Sequence, residues 1–139
     1  MGKRKKILCL GILLMLLGIA NCGCGIEEKN DKKLKDLEFT IVSDQEVPEE
    51  LNKIISEKRK DEMKLTYMTD DNLYIVRGYG QQKTGGYSIK VKELYQAENA
   101  VYLDSELVGP GENDVTEKAK SYPYIVLKTE KTEDVVVFK

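Results

Sequence analysis

The chain has 139 residues, with 22 Lys+Arg, 24 Asp+Glu and no histidine. That length suits one domain with a short appendage. A formal charge of -2 argues against nucleic-acid binding, which needs a basic face to meet phosphates. The missing histidine excludes Ser-His-Asp and Cys-His nucleophiles, histidine-containing zinc sites and imidazole pH switches. Ser-Lys dyads and paired carboxylates stay open.

Lys3, Arg4, Lys5 and Lys6 stand at the start, and residues 7–20 follow without a charge. A basic start, a short apolar middle and small residues behind it are the layout of a secretory signal peptide. A spanning helix needs about 20 apolar residues. The segment closes on Gly18-Ile19-Ala20-Asn21-Cys22-Gly23-Cys24. Ile-Ala-x-Cys at this place resembles a bacterial lipobox, whose cysteine carries a diacylglyceryl thioether and becomes the first mature residue. The resemblance implies that residues 1–21 are a lipoprotein signal peptide and that Cys22 is the lipid attachment site. It also implies a palmitate-type anchor on the extracytoplasmic face of the cell membrane. Asn21 stands where Gly, Ala or Ser is usual, and Cys24 is the alternative acceptor. Each buried CH₂ contributes ~0.8 kcal/mol, so two or more chains hold firmly where one is marginal. Cleavage before Cys22 removes four basic residues, so 22 Lys+Arg becomes 18 against 24 Asp+Glu, a formal -6. With Cys9 gone and Cys22 acylated, Cys24 is left without an intramolecular disulfide partner, and the fold must rest on its core.

Residues 22–36 are expected to be a flexible polar tether, rich in charge through Glu27, Glu28, Lys29, Asp31, Lys32 and Lys33. Residues 37–139 are expected to form a single domain. Leu37, Phe39 and Ile41 alternate with Glu38, Thr40 and Val42 as a first strand. Pro48 suits a first helical position, with Glu49 and Glu50 in the first turn. Leu51, Ile54, Ile55 and Lys58 then share a face at helical spacing, and Lys58, Arg59 and Lys60 close the helix. From Met63 the period becomes two: strands over 63–67 and 73–79 flank a turn at 69–72. Tyr87, Ile89 and Val91 alternate with Ser88, Lys90 and Lys92, one face in the core and one in water. Glu98-Asn99 is a hairpin turn, and Val101, Leu103 and Leu107 continue the buried face. Residues 122–128 and 135–138 are the last strands. The expected fold is α+β, with one N-terminal helix packed on a mainly antiparallel, β-rich domain of about six to seven strands.

Two connections stand apart. Residues 81–86 hold a Gly-Gly, and residues 108–121 form a fourteen-residue loop, a length more often functional than structural. A simple meander from Leu73 onward would put both loops at one end. Gly80-Gln-Gln-Lys-Thr-Gly85 has phosphate-loop spacing, but Gly86-Tyr87 follows instead of Lys-Ser/Thr, and a strand follows instead of a helix. Gly78-Tyr79-Gly80 is no dinucleotide fingerprint either. Glu106, Glu112, Asp114 and Glu117 crowd the long loop, and loop carboxylates can hold calcium, but the spacing matches no EF-hand. For catalysis the candidates are Ser88, Ser105 or Ser121 with a lysine, or pairs drawn from the many carboxylates. Ser88 beside Lys90 and Lys92 is explained as a polar strand face. The expectation is therefore no catalytic residue, no metal and no cofactor. Gly-Gly permits a backbone path closed to other residues, through positive φ or close approach of another segment. Tyr87 brings a large ring and a hydroxyl that needs a partner.

Ile75-Val76-Arg77-Gly78-Tyr79-Gly80, then Thr84-Gly85-Gly86-Tyr87-Ser88-Ile89, then Gly109-Pro110-Gly111, then Tyr122-Pro123-Tyr124-Ile125-Val126 resembles the PrcB C-terminal domain family. These bacterial proteins are often lipoproteins, named after an accessory subunit of a surface protease complex. The resemblance covers about residues 73–138. It implies a non-catalytic subunit that binds or stabilises an exported protease. The implied partner-binding residues are Thr84, Gly85, Gly86, Tyr87, Gly109, Pro110, Gly111, Tyr122 and Pro123. Thr84-Gly85-Gly86-Tyr87 is also similar to the Thr-Thr-Gly-Tyr-like loop of chagasin-type cysteine-protease inhibitors. The Asn-Pro lead-in and Arg-Pro-Trp segment of those inhibitors are absent.

Overall fold

A computed structural model describes residues 32–139. The expected signal peptide, Cys22 and the expected tether up to residue 31 lie outside the described residues. Among the described residues there are eight strands, one α-helix and one 3₁₀ turn. In chain order they are β1 (Lys35–Asp36), β2 (Phe39–Ile41), the 3₁₀ turn (Asp44–Glu46), α1 (Glu49–Lys58), β3 (Glu62–Met68), β4 (Asn72–Tyr79), β5 (Ser88–Gln96), β6 (Ala100–Val108), β7 (Tyr124–Glu130) and β8 (Val135–Phe138). The expected α+β, β-rich class is what the chain adopts. No described helix is long and apolar enough to cross a membrane.

The strands form two four-stranded sheets, ordered β2-β7-β4-β3 and β1-β5-β6-β8. Every pairing is antiparallel except β6 with β8, which is parallel. The first sheet lies in the middle. One of its faces carries Met63, Tyr74, Val76 and Val126, which pack with Leu51 and Ile55 of α1. Its other face carries Leu73, Ile75 and Leu127, which meet Leu94, Val101 and Leu103 of the outer sheet. The layers are therefore helix, middle sheet and outer sheet. β4 serves both cores, which is why every residue from Leu73 to Gly78 is buried. A strand covered on both faces reads as a continuous apolar run, and that masks its period of two.

Three local features differ from the sequence expectation. The expected first strand over 37–42 is shortened to β2, and residues 35–36, expected as the end of the tether, form β1 instead; Leu37 and Glu38 carry the chain from β1 in the outer sheet to β2 in the middle one. Phe39 and Ile41 are exposed and Val42 is buried instead, because β2 is an edge beyond the cover of the outer sheet. Pro48 is the N-cap in extended backbone rather than the first helical residue. Its carbonyl accepts the N–H of Asn52 at 3.0 Å. The Asn52 side chain donates to Asp44 O at 2.8 Å, which holds the 3₁₀ turn on the helix. Finally, β5 has a bulge between Val91 and Glu93. One extra residue reverses which side chains face inward. Val91 and Leu94 thus both reach the inter-sheet core although three residues separate them.

Tyr124 ties β7 to the 3₁₀ turn by donating its hydroxyl to Asp44 Oδ1 at 2.7 Å. Burial, followed by that bond, pushes the phenol up to about 12. The folded state therefore favours neutral Tyr124. Its contribution is complete below the unfolded value of about 10 and is lost as pH rises through about 12. Urea midpoints measured across that window should fall more steeply for the native chain than for Tyr124→Phe. Equal slopes would remove Tyr124 from the alkaline transition.

Candidate functional site

β4 ends in the middle sheet and β5 begins in the outer one; β6 ends in the outer sheet and β7 begins back in the middle. Gly78 is opposite Tyr124, and Ser88 is opposite Val108. Both sheet crossings therefore lie at one end of the domain. A simple meander predicts the same co-location, but the arrangement is a different one: each loop is a bridge between sheets.

The two loops bind each other. Gln82 and Ser121 exchange backbone bonds of 2.8 and 3.1 Å. Gly85 donates its N–H to Glu117 O at 3.0 Å. Ser121 Oγ donates to Thr84 O at 2.6 Å. Gly86 has φ +85°, and a Cβ there would stand 2.9 Å from Thr116 Cγ2 and 3.1 Å from Pro110 Cβ. Only glycine fits a left-handed backbone pressed against another segment. The Tyr87 ring lies against Gly109, where a Cβ would meet its Cε1 at 3.4 Å. Gly111 donates its N–H to Asp114 Oδ2 at 2.7 Å and closes a turn within the long loop. Thr84, Gly85, Gly86, Tyr87, Gly109 and Pro110 are thus brought together. Tyr122 instead lies beside the helix end, with the Arg59 guanidinium 5.1 Å from its ring centroid. The Pro123 carbonyl accepts the Tyr79 N–H at 3.1 Å.

The base of this pair is rigid. Tyr79 Oη and Ser105 Oγ are 2.8 Å apart and join the two sheets. Beneath the Tyr79 ring, the Arg77 guanidinium lies 3.9 Å from the centroid. Arg77 is 7% exposed. It pairs with Glu62 Oε1 at 3.0 Å and donates to Gly78 O at 2.7 Å, while its Nε is buried without a partner. A buried charge needs this much pairing to be tolerated. Sequence reasoning missed Arg77 and Gln82, and it considered Ser105 and Ser121 as catalytic serines, not as the ties they are. Arg77 had a signal: it shares the alternating face of Leu73, Ile75 and Tyr79, where a charge is out of place. Gln82 had none.

The crown of the pair is mixed in charge, with Lys83, Lys118, Lys120, Glu112 and Glu117 exposed and Val115 fully exposed. Among the described residues no three carboxylate or cysteine side chains come together to hold a metal. Ser105 and Ser121 spend their hydroxyls on Tyr79 and Thr84. A groove of about 1020 Å³ lies elsewhere, along Leu37, Phe39, Asn72 and Thr129, and shares no residue with the loops. Ser121→Ala should remove about 0.5–1.5 kcal/mol and speed amide hydrogen exchange at Gln82 and Gly85. Unchanged exchange at both would mean the hydroxyl does not hold the loops.

Two sheets, a covering helix and paired loops at one end define a domain that presents loops on a rigid base. The family model described as PrcB C-terminal matches residues 73–130. This bears out the resemblance carried by Thr84-Gly85-Gly86-Tyr87-Ser88: the stretch from β4 through β7, both loops included, is PrcB C-terminal in kind and suggests a PrcB-like accessory domain. β1 to β3, α1 and β8 fall outside the matched residues. No curated protein and no solved structure matches the chain.

Proposed function

We propose that this chain is a membrane-anchored extracytoplasmic lipoprotein. Its domain acts as a non-catalytic accessory subunit that associates with an exported protease and stabilises it. The observation that supports this most is that the PrcB C-terminal match contains both halves of the tied loop pair. Rigidly held loops reduce the ordering cost of association, and an exposed Val115 among charges suits a protein surface. The anchor rests on the lipobox-like residues ending at Cys22. It would hold the domain near the membrane, where an exported partner is met at high effective concentration.

Affinity capture from the native envelope tests the partner. An exported protease should be recovered with the native chain and lost with Gly86→Val; recovery that ignores the substitution would remove the loop pair from the interface. Mass spectrometry of the mature N-terminus should show acylated Cys22, and an unmodified terminus would remove the anchor. Titration against papain-like proteases separates association from inhibition: full protease activity with chain bound supports the accessory role.

A further inference from the structure

A sheet edge offers unpaired N–H and C=O groups to any other strand, and folded proteins usually blunt it with charge, shortness or cover. Three of the four edges here are blunted. β1 has two residues and β2 three. β3 carries Glu62 and Lys64 on the face turned away from the helix. β8 is different: Val135-Val136-Val137-Phe138 has no charge, with Val135 66% exposed and Val136 and Phe138 in the inter-sheet core.

The direction of its backbone groups follows from the register. Lys139 donates its N–H to Leu103 O at 2.8 Å, and Leu103 is opposite Phe138. In a parallel pair alternate residues bond the same neighbour. Val135, Val137 and Lys139 therefore bond β6, while the N–H and C=O of Val136 and Phe138 point outward. Among the described residues no strand pairs with them.

We propose that β8 joins two copies of this chain by antiparallel pairing across a two-fold axis, making one continuous sheet from the two outer sheets. The strand is complementary to itself. Outward-pointing residues must pair with each other, so Val136 meets Val136 of the second copy. That register sets Val135 opposite Val137 and Glu133 opposite Lys139. Acidic Glu133 and Asp134 precede the apolar run and basic Lys139, which donates to Tyr95 Oη of its own chain at 3.2 Å, follows it, so reversal sets residues of unlike formal charge at both ends and valines together between them. Isologous pairing also closes at two, without fibre growth. The loop pair stays free: it lies at the Ser88–Val108 end of the outer sheet, whereas β8 starts opposite Ala100. So short an edge buries well below the ~1,600 Å² of a standard interface, which makes the dimer concentration-dependent.

Sedimentation velocity of the full chain in mild detergent, over a concentration series, tests this. The native chain should shift from one chain per particle to two as concentration rises. Val136→Pro removes an outward N–H and spares the β6 ladder, so it should stay at one chain, with a melting temperature lowered by the lost core contact of the Val136 side chain. Val135→Lys, at an exposed position, should also stay at one chain and decides the matter if the proline variant fails to fold. A native chain that stays single at high micromolar concentration overturns the proposal. So does a dimer that survives both substitutions.

Discussion

Leu103→Ala is expected to lower the unfolding free energy by about 3–4 kcal/mol, within the ~2–5 kcal/mol typical of buried leucine truncation. Leu103 is 0% exposed and lies in the core between the sheets with Leu73, Ile75, Leu94 and Leu127. Its strand is held on both sides, opposite Leu94 of β5 and Phe138 of β8. The surrounding strands therefore cannot collapse into the space, and the full cavity cost is felt. Cysteine occurs only at positions 9, 22 and 24, so no disulfide within residues 32–139 offsets the loss. Against a typical total of about 5–15 kcal/mol, the change is a large share. Urea unfolding should show a lower midpoint with an unchanged slope. Ile41→Ala, at a position 54% exposed, should stay within about 0.5 kcal/mol. Equal costs at the two positions would mean that the inter-sheet core is not where the stability lies.

The two residues also mark how far the sequence leads. Both sit on alternating patterns, and alternation says only that one face is apolar. It does not say which sheet a strand joins or whether a second layer covers it. Val101, Leu103 and Leu107 are legible because their sheet has one wet face. Ile41 looks the same in one dimension and is exposed, because its place at an edge is decided by the distant pairing with Leu127. The helix is legible almost to the residue, since Pro48, two glutamates and a basic end are local signals. The bulge after Val91 is not legible, because it is a compromise between two registers that only the folded pair imposes.

The loop pair was visible in a similar, partial way. Gly85-Gly86 announces an unusual backbone, but only Gly86 takes the positive φ. The unusual length of residues 108–121 announces a loop with a task. That the two loops would be hydrogen-bonded to each other depends on both crossing between sheets at one end, which is a property of topology. Arg77 lies within the Ile75–Gly80 stretch that carries the resemblance and Ser105 lies in no motif, but neither contact to Tyr79 is a local signal, and both residues matter because they hold the Tyr79 root from below.

Gly86→Val should therefore separate geometry from composition. A β-branched residue at φ +85° costs about 1–2 kcal/mol in backbone strain. Pushing Thr116 and Pro110 aside adds about 1–3 kcal/mol. The cheapest relief is local, since the long loop can move away while both cores stay packed. Hydrogen exchange should show protection lost at Gln82, Gly85 and Ser121 and kept along β4 and β7. Gly85→Ala is the matched control, because its Cβ would meet Glu117 at an ordinary 3.8 Å, and it should leave exchange at those three amides unchanged. If partner capture fails with Gly86→Val and survives Gly85→Ala, the shape of the paired loops is what the partner reads. If both substitutions abolish capture while exchange changes only in the first, the partner reads the glycine surface itself and the loop pairing is merely its support.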